Sequence, residues 1–259
     1  MKKNNKIIVV LLICFIVLLL LNIRKTKFGI LSSIPGSIPG SIPKIIHQTA
    51  PTDRSKWDER WIECQQTWFG LFPEFEFKLW NDEDIDKLVM ENFPKFYEST
   101  YKNYDIKIKK IDASRYCMLY VYGGMYVDMD YKCFINFWND IPQDKISIVE
   151  SPFNGEYLQN SLMISKPNEQ FWNSVLDQCA LHASEDVLDA TGPRLLSSVY
   201  SKNSTLINVL PKEIYNPSEE TNTNDKMKAR QLMTASWVPK TKKKQKKSLY
   251  NYFFKLIKI

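Results

Sequence analysis

Two aspartates one residue apart, Asp128 and Asp130, follow a short apolar run, Met125-Tyr126-Val127, which itself follows the glycine pair Gly123-Gly124. In extended chain, residues i and i+2 face the same side, so the spacing predicts that both carboxylates converge just past the end of a strand. Open α/β sheets bind ligands at that carboxyl end. Two adjacent carboxylates repel, and a pair in a cleft is satisfied by a cation. All-oxygen ligation selects a hard ion, Mn²⁺ or Mg²⁺, which can bridge a diphosphate and neutralise charge on a departing phosphate. Asp-x-Asp by itself is common in turns and solvated faces; the glycine pair and the apolar strand set this one apart. Upstream, Asp112-Ala113-Ser114-Arg115 places an acid and a base on one helical face. Asp112 is expected near the helix start, where the macrodipole favours it. It could accept hydroxyl groups of a ligand, and Arg115 could hold the carboxylates or a diphosphate. Taken alone, the pair reads first as an N-cap with a local ion pair.

The elements that must position these residues are legible as periodic segments. Strands are predicted at Lys44 to Thr49, Phe75 to Trp80, Met125 to Val127, Ile146 to Val149 and Leu162 to Ser165, with a β-branched run from Thr205 to Leu210. Helices are predicted from Asp82 to Asn92, capped by Asn81, and from Asp112 to Tyr122, stopped by Gly123-Gly124. Two more are predicted at Phe171 to Leu181 and Pro193 to Tyr200. Strands alternating with helices imply an α/β sandwich with a largely parallel sheet, built as a single domain.

The 259 residues carry a net charge of +6, and the lysines at 240, 242, 243, 244, 246 and 247 crowd one short tail. The remainder is near balance, which argues against a nucleic-acid partner. The tail, 240–259, ends in an aromatic, basic run; it reads as a solvated end or as a segment lying on an anionic membrane surface. At the other end, residues 1–6 form a short basic segment and 7–23 an apolar run read as an uncleaved transmembrane signal anchor. Residues 24–42, with Ser-Ile-Pro-Gly at 33 and 37, read as a stalk before a folded domain at 43–239. Beyond Cys14, the cysteines at 64, 117, 133 and 179 include no Cys-x-x-Cys pair, so a zinc site is not indicated. They are compatible with up to two disulfides or with buried thiols.

Ile42-Pro43-Lys44-Ile45-Ile46-His47-Gln48-Thr49, Leu79-Trp80-Asn81-Asp82-Glu83-Asp84, Asp112-Ala113-Ser114-Arg115-Tyr116, and Gly123-Gly124 with Tyr126 and Asp128-Met129-Asp130 occur in that order. With Thr191-Gly192-Pro193 and Ser236-Trp237, they resemble the glycosyltransferases that contain the Asp-x-Asp sugar-binding region. That family includes fungal Golgi α-1,6-mannosyltransferases and inositol-phosphoceramide mannosyltransferases. The resemblance implies a GT-A fold, a nucleotide-diphosphate sugar as donor, Mn²⁺ or Mg²⁺, and retention of anomeric configuration. It implies mannose as the favoured sugar and a glycan or glycolipid acceptor. By motif, His47 and Gln48 lie by the nucleotide, and Asp112 and Arg115 hold the donor sugar. Gly124 and Tyr126 fall within the donor-binding stretch, Asp128 and Asp130 carry the metal and diphosphate, and Asn160 lies near the sugar. Ser236 and Trp237 are placed at the metal or diphosphate. The family commonly has a His shortly before Ser-Trp, where it can ligate the metal; here Arg230 to Trp237 contains none, which implies either a weaker metal affinity or a substitute in Gln231 or Ser236. The family's topology implies a single-pass type II protein of Golgi or ER-type membranes with the catalytic domain in the lumen. That compartment suits the sequon Asn203-Ser204-Thr205.

Two other classes share some of these features. Haloacid-dehalogenase-type phosphohydrolases also place Asp-x-Asp after an apolar strand, but expect Thr or Val where this chain has Lys132. A non-catalytic, membrane-anchored relative that only binds a sugar nucleotide would keep the motifs; the missing His is its argument, and hydrolysis of the donor separates it from an enzyme.

Overall fold

The computed structural model describes residues 40–153, 156–218 and 226–234. By contacts the chain divides into two units, Met1–Ser41 and Ile42–Ile259, and the second holds every element named below. The apolar run 7–23, the stalk up to residue 39, Ser236, Trp237 and the tail 240–259 lie outside the described residues. Among the described residues no helix is long and apolar enough to cross a membrane.

A six-stranded sheet forms the centre, in the order β2 (Glu76–Trp80), β1 (Ile45–Thr49), β3 (Gly124–Val127), β6 (Leu158–Ser165), β5 (Ile146–Glu150), β7 (Ile207–Leu210). It is mixed rather than largely parallel. β1 runs parallel to β2 and β3, and β5 parallel to β7. β6 is antiparallel to both β3 and β5. The helical crossovers expected from alternation exist between β1, β2 and β3, but β5 returns to β6 through a short connection, which only an antiparallel pair permits. A second, two-stranded antiparallel sheet pairs β4 (Tyr131–Cys133) with β8 (Ala229–Gln231).

The sheet is covered on both faces, so its strands read as apolar runs without alternation. Tyr126, Ile146, Ile148, Leu158, Met163 and Ile207 belong to one core. The intervening Met125, Val127, Leu162, Ile164, Val149 and Leu210 belong to the other. The first core is closed by α2 (Asp82–Asn92), α4 (Lys107–Tyr122), α5 (Gln170–Leu181) and, past the short α6 (Val187–Ala190), α7 (Pro193–Ser201). The second is closed by α1 (Glu59–Leu71), whose Trp68 is fully buried together with the adjoining Phe72.

The helix ends follow local chemistry. Asn81 accepts from the amides of Glu83 and Asp84 at 2.9 and 3.0 Å, and Asp84 returns the bond to the Asn81 amide, a reciprocal cap. Asp58 caps α1, a helix absent from the predicted elements. Pro94 opens the short α3 (Pro94–Ser99). α4 starts five residues earlier than Asp112, at Lys107, so the macrodipole argument for Asp112 fails and tertiary contacts hold that carboxylate instead. In the Thr205 to Leu210 run, residues Ser204–Leu206 form a 3₁₀ turn and only Ile207–Leu210 pairs as strand. The four described cysteines are buried free thiols.

The glycine pair sets the approach of α4 to β3. Gly123 ends the helix at φ +64°, and Gly124 enters the strand at φ +89°. A Cβ on Gly124 would stand 2.6 Å from the carbonyl oxygen of Ile45, and one on Gly123 would stand 2.6 Å from the nitrogen of Pro167. Gly124→Ala is therefore expected to cost at least about 3 kcal/mol, from positive φ and from forcing β1 off β3. Gly70→Ala, in α1 with open space around it, should be neutral or stabilising by up to about 1 kcal/mol. Urea unfolding of the two variants checks the contrast.

Candidate active site

Asp128 is the first residue after β3, but the chain does not stay extended. Asp128-Met129-Asp130 turns back, and the Tyr131 amide donates to the Asp128 carbonyl at 3.1 Å before β4 begins. The two carboxylates are brought together by this turn and by what packs over it, not by strand alternation. Gln231, at the end of β8, donates through Nε2 to Asp128 Oδ2 and to Asp130 Oδ1, 3.1 Å in each case. The amide and hydroxyl of Thr234 both donate to Asp130 Oδ2, at 2.8 and 2.9 Å. The Thr234 hydroxyl in turn accepts from Trp61 Nε1 at 3.1 Å.

Behind the turn lies a buried ion network. Arg115 is 6% exposed and its Nη2 reaches Asp112 Oδ1 and Asp128 Oδ1, both at 3.1 Å. Its Nη1 donates to the Asn160 carbonyl at 3.0 Å, and its guanidinium stands 4.9 Å from the centre of the Tyr126 ring. Tyr126 donates to Asp128 Oδ1 at 2.8 Å and its oxygen lies 3.1 Å from Thr49 Oγ1. Asp112 is also hydrogen-bonded by the side chains of Asn160 and Thr191. Tyr116 supports that corner, donating to the Thr191 carbonyl at 2.7 Å.

Burial raises the Asp112 carboxyl to about 6, against the pull of Arg115, and raises that of Asp128 to about 7, against Arg115 and with the repulsion of Asp130. Burial opposes the Arg115 charge, but Asp128, then Tyr126 and Asp112, outweigh it and hold the guanidinium firmly protonated.

The structure thus brings Asp112, Arg115, Tyr126, Asp128, Asp130 and Asn160 into one constellation. His47 stands apart from it. Its ring is fully buried; Nε2 donates to the Gly123 carbonyl at 2.9 Å and Nδ1 accepts from Trp80 Nε1 at 3.1 Å. Both nitrogens are used, and burial lowers its pKa to about 3, so His47 is a neutral tie between β1, β2 and the glycine turn rather than a contact for a nucleotide. Gly124 likewise acts by letting β1 approach. Gln48 lines a cavity of about 310 Å³ with Trp57, Gln65, Phe69 and Leu79. Its Oε1 accepts from Gln65 Nε2, and its own buried Nε2 has no hydrogen-bond partner. Gln65 Nε2 also lies 3.8 Å from Met129 Sδ, so the cavity adjoins the acidic turn. Asn203 is half-buried, its amide donating to the Val199 carbonyl at 3.0 Å. His182 pairs with Glu185 at the protein surface. Thr191 enters the expectations from sequence only as part of a motif, and Thr234 and Trp61 not at all; Thr234 acts across 104 positions, a distance at which no local pattern signals contact.

A hard divalent ion fits this donor set. Asp128 Oδ2 and Asp130 Oδ1 converge on the single point that Gln231 Nε2 occupies. Among the described residues no group of three or more His, Cys, Asp or Glu is placed to hold a metal ion, so the two carboxylates Asp128 and Asp130 are what an ion would meet.

A mixed α/β sandwich with an acidic turn at the end of a central strand is a GT-A-like arrangement. The family model described as glycosyltransferase sugar-binding region containing DXD motif matches residues 58–147. The chain is 39% identical over 90 residues to inositol phosphoceramide mannosyltransferase 3 of Schizosaccharomyces pombe, covering 35% of this chain and 24% of the relative. It is 30% identical over 165 residues to the mannosyl phosphorylinositol ceramide synthase SUR1 of Saccharomyces cerevisiae, covering 61% of this chain and 42% of the relative. The match therefore spans less than half the length of these relatives. Among solved structures, the PaToxG glycosyltransferase aligns with TM-score 0.51 at 17% identity, over 70% of this chain and 78% of that one. The ligand-free glycosyltransferase domain of the YGT toxin aligns with TM-score 0.52 at 8% identity, over 66% and 80%. These two establish the fold alone.

A group with a raised carboxyl pKa contributes stability fully below about 3.8, and loses it as pH rises through its folded value, about 6 for Asp112. With a chelator present, Asp112 should therefore cost roughly 1–2 kcal/mol of unfolding free energy between pH 5 and pH 8, and Asp112→Asn should remove that loss. Urea titrations at the two pH values check this.

Proposed function

We propose that this chain is a retaining, divalent-cation-dependent hexosyltransferase that moves a sugar, mannose favoured, from a nucleotide-diphosphate donor to a glycolipid acceptor. The observation that carries the reading is the convergence of Asp128 and Asp130 on one point while Asp128 shares the buried Arg115 with Asp112. One carboxylate pair addresses a cation and diphosphate; the other end of the same network, Asp112 with Asn160, offers a polar wall for sugar hydroxyls. Bound between the carboxylates, Mn²⁺ or Mg²⁺ would supply charge neutralisation for the leaving diphosphate. Arg115 fixes both aspartates in one geometry, so the site is organised before the donor arrives. Asp112, held by Arg115, Asn160 and Thr191, orients the donor sugar for attack by the acceptor hydroxyl on the face that the diphosphate leaves. No described carboxylate is identified as a covalent nucleophile. The sugar and the lipid acceptor rest on the names of the relatives. The N-terminal apolar run, read as a signal anchor with the catalytic unit in a Golgi or ER-type lumen, would bring the site to a membrane-borne acceptor.

The test is donor hydrolysis. The protein is incubated with Mn²⁺ and a panel of nucleotide sugars, and released nucleotide is measured for wild type and Asp130→Asn. Turnover of one donor is expected, falling by at least about 10²-fold in the variant, as for loss of a group that stabilises developing charge. A folded protein that binds a nucleotide sugar without turnover supports the non-catalytic alternative instead; one that neither binds nor turns over a donor overturns the site.

A further inference from the structure

The carboxyl ends of β1, β3, β5 and β7 lie at one edge of the central sheet, and β6, running the other way, starts there. The acidic turn uses the end of β3, and Asn160 stands on β6. The part of that edge where β5 ends and β6 begins is polar where a sheet interior is usually apolar. Gln159 and Asn160 are 5% exposed, and Ser161 and Ser151 are buried beside them. Between the pairs Ile148–Met163 and Glu150–Leu158, β6 residues 159–162 stand opposite Val149 alone. Such irregularities re-aim side chains and are over-represented next to active sites. Buried amides and hydroxyls stabilise no better than apolar groups of the same shape, so the fold by itself does not call for this row. Glu156 stands where β5 hands over to β6. Ser151 Oγ donates to its Oε2 at 3.1 Å, and the Gln159 side chain also hydrogen-bonds it. A carboxylate offers about four acceptor positions, so about two remain for hydroxyl groups. Arg194 attracts Glu156 but is paired directly with Asp186 and Asp189, and burial raises the Glu156 carboxyl above its ordinary range.

The next residue adds an aromatic surface. Tyr157 is 46% exposed, and its ring lies 5.1 Å from that of Tyr200. Its backbone is fixed, because the amides of Tyr157 and Leu158 both donate to Ser197 Oγ on α7, at 3.1 and 3.0 Å. A held carboxylate next to a held, exposed ring suits a cyclic polyol. The carboxylate accepts from hydroxyls, and the C–H face of the polyol packs on the aromatic ring. The row is continuous with the acidic turn. Gln159 Oε1 accepts from Asn216 Nδ2 at 2.7 Å, and Asn216 Oδ1 accepts from the Gln231 amide at 3.3 Å. The Ser161 carbonyl accepts from the Asp128 amide at 2.9 Å. Across the sheet the order is therefore the acidic turn after β3, the donor-sugar wall at Asn160 on β6, and Glu156 between β6 and β5. We propose that Glu156 and Gln159, with the Tyr157 ring, bind the hydroxyl-bearing ring of the acceptor. The inference rests on the hexosyltransferase reading and adds a seat for the second substrate.

The experiment titrates the full chain with two cyclic polyols, myo-inositol and methyl α-mannoside, and reads binding by saturation-transfer nuclear magnetic resonance. Wild type, Glu156→Gln, Tyr157→Ala and Asp112→Asn are compared. Wild type is expected to bind at least one of the two. Glu156→Gln, which removes a charged acceptor, and Tyr157→Ala should each weaken binding at least about fivefold. Asp112→Asn, on the donor-sugar wall, should leave it within about twofold. Weakening by Asp112→Asn that equals or exceeds that by Glu156→Gln places the ring on the donor side and overturns the proposal. Equal binding by wild type and Glu156→Gln overturns it, as does a folded wild type that binds neither polyol. Should Tyr157→Ala not fold, the isosteric Glu156→Gln decides alone. Donor hydrolysis judges the underlying reading separately. A wild type that binds the polyol through Glu156 but hydrolyses no donor overturns the hexosyltransferase reading and the acceptor role with it, while the polyol site stands.

Discussion

A buried guanidinium must be neutralised where it sits, and much of this site is arranged around that requirement. Arg115 lies in the middle of α4, between the sheet and the helices that cover it, out of reach of bulk water. Removing such a charge from water costs several kcal/mol unless opposite charge and hydrogen-bond acceptors surround it. Asp112 on its own helix, Asp128 at the end of β3, the carbonyl of Asn160 on β6 and the face of the Tyr126 ring supply them. Helix α4, the strand β3 that follows it and the distant strand β6 are thereby tied to one cation. The carboxylates gain a fixed geometry in exchange, which a site that handles charged ligands needs before the ligand arrives.

The second constraint is the distance between β1 and β3. Gly124 lets the two strands pair with no side chain between them, and Gly123 turns α4 into β3 with almost no connecting chain. The register that results places Tyr126 beside Thr49 and aims Asp128 back at Arg115. His47, fully buried and neutral, pins the same corner from the other side by bridging Trp80 and Gly123. A residue whose type invites a catalytic reading is here part of the frame, and the reason is that burial and two satisfied nitrogens leave it nothing to offer a ligand.

Much of the frame is legible in the sequence. The Asn81 cap with Asp84, the glycine stop after Tyr122 and the strands flanking them are local events, dictated by residues within a few positions of one another, and they stand where the pattern puts them. The direction of β6 is not legible, because an apolar run reads the same in either direction and only its connection to β5 decides. α1 is missing from the predicted helices although Asp58 announces it. The acid pair is found by its spacing, but strand alternation is not what makes it converge: the chain turns at Asp128, and Gln231 and Thr234 complete the arrangement from about a hundred residues away.

The sequence by itself determined the ingredients: two acids after an apolar strand, an acid and a base on one helix, a glycine pair between them, and a chain order resembling the Asp-x-Asp glycosyltransferases. These are short-range features, and short-range chemistry is written in neighbouring residues. Only the tertiary structure decided which ingredients meet. Asp112 and Arg115 could have been a solvated helix-end pair; burial against β6 and Thr191 makes them the anchor of Asp128. Gln231 stood in the sequence only as one of two residues in the place of a family His; the pairing of β8 with β4 sets its amide between two carboxylates. Such contacts depend on packing among elements that share no local pattern, and for that reason they became visible only in the folded molecule.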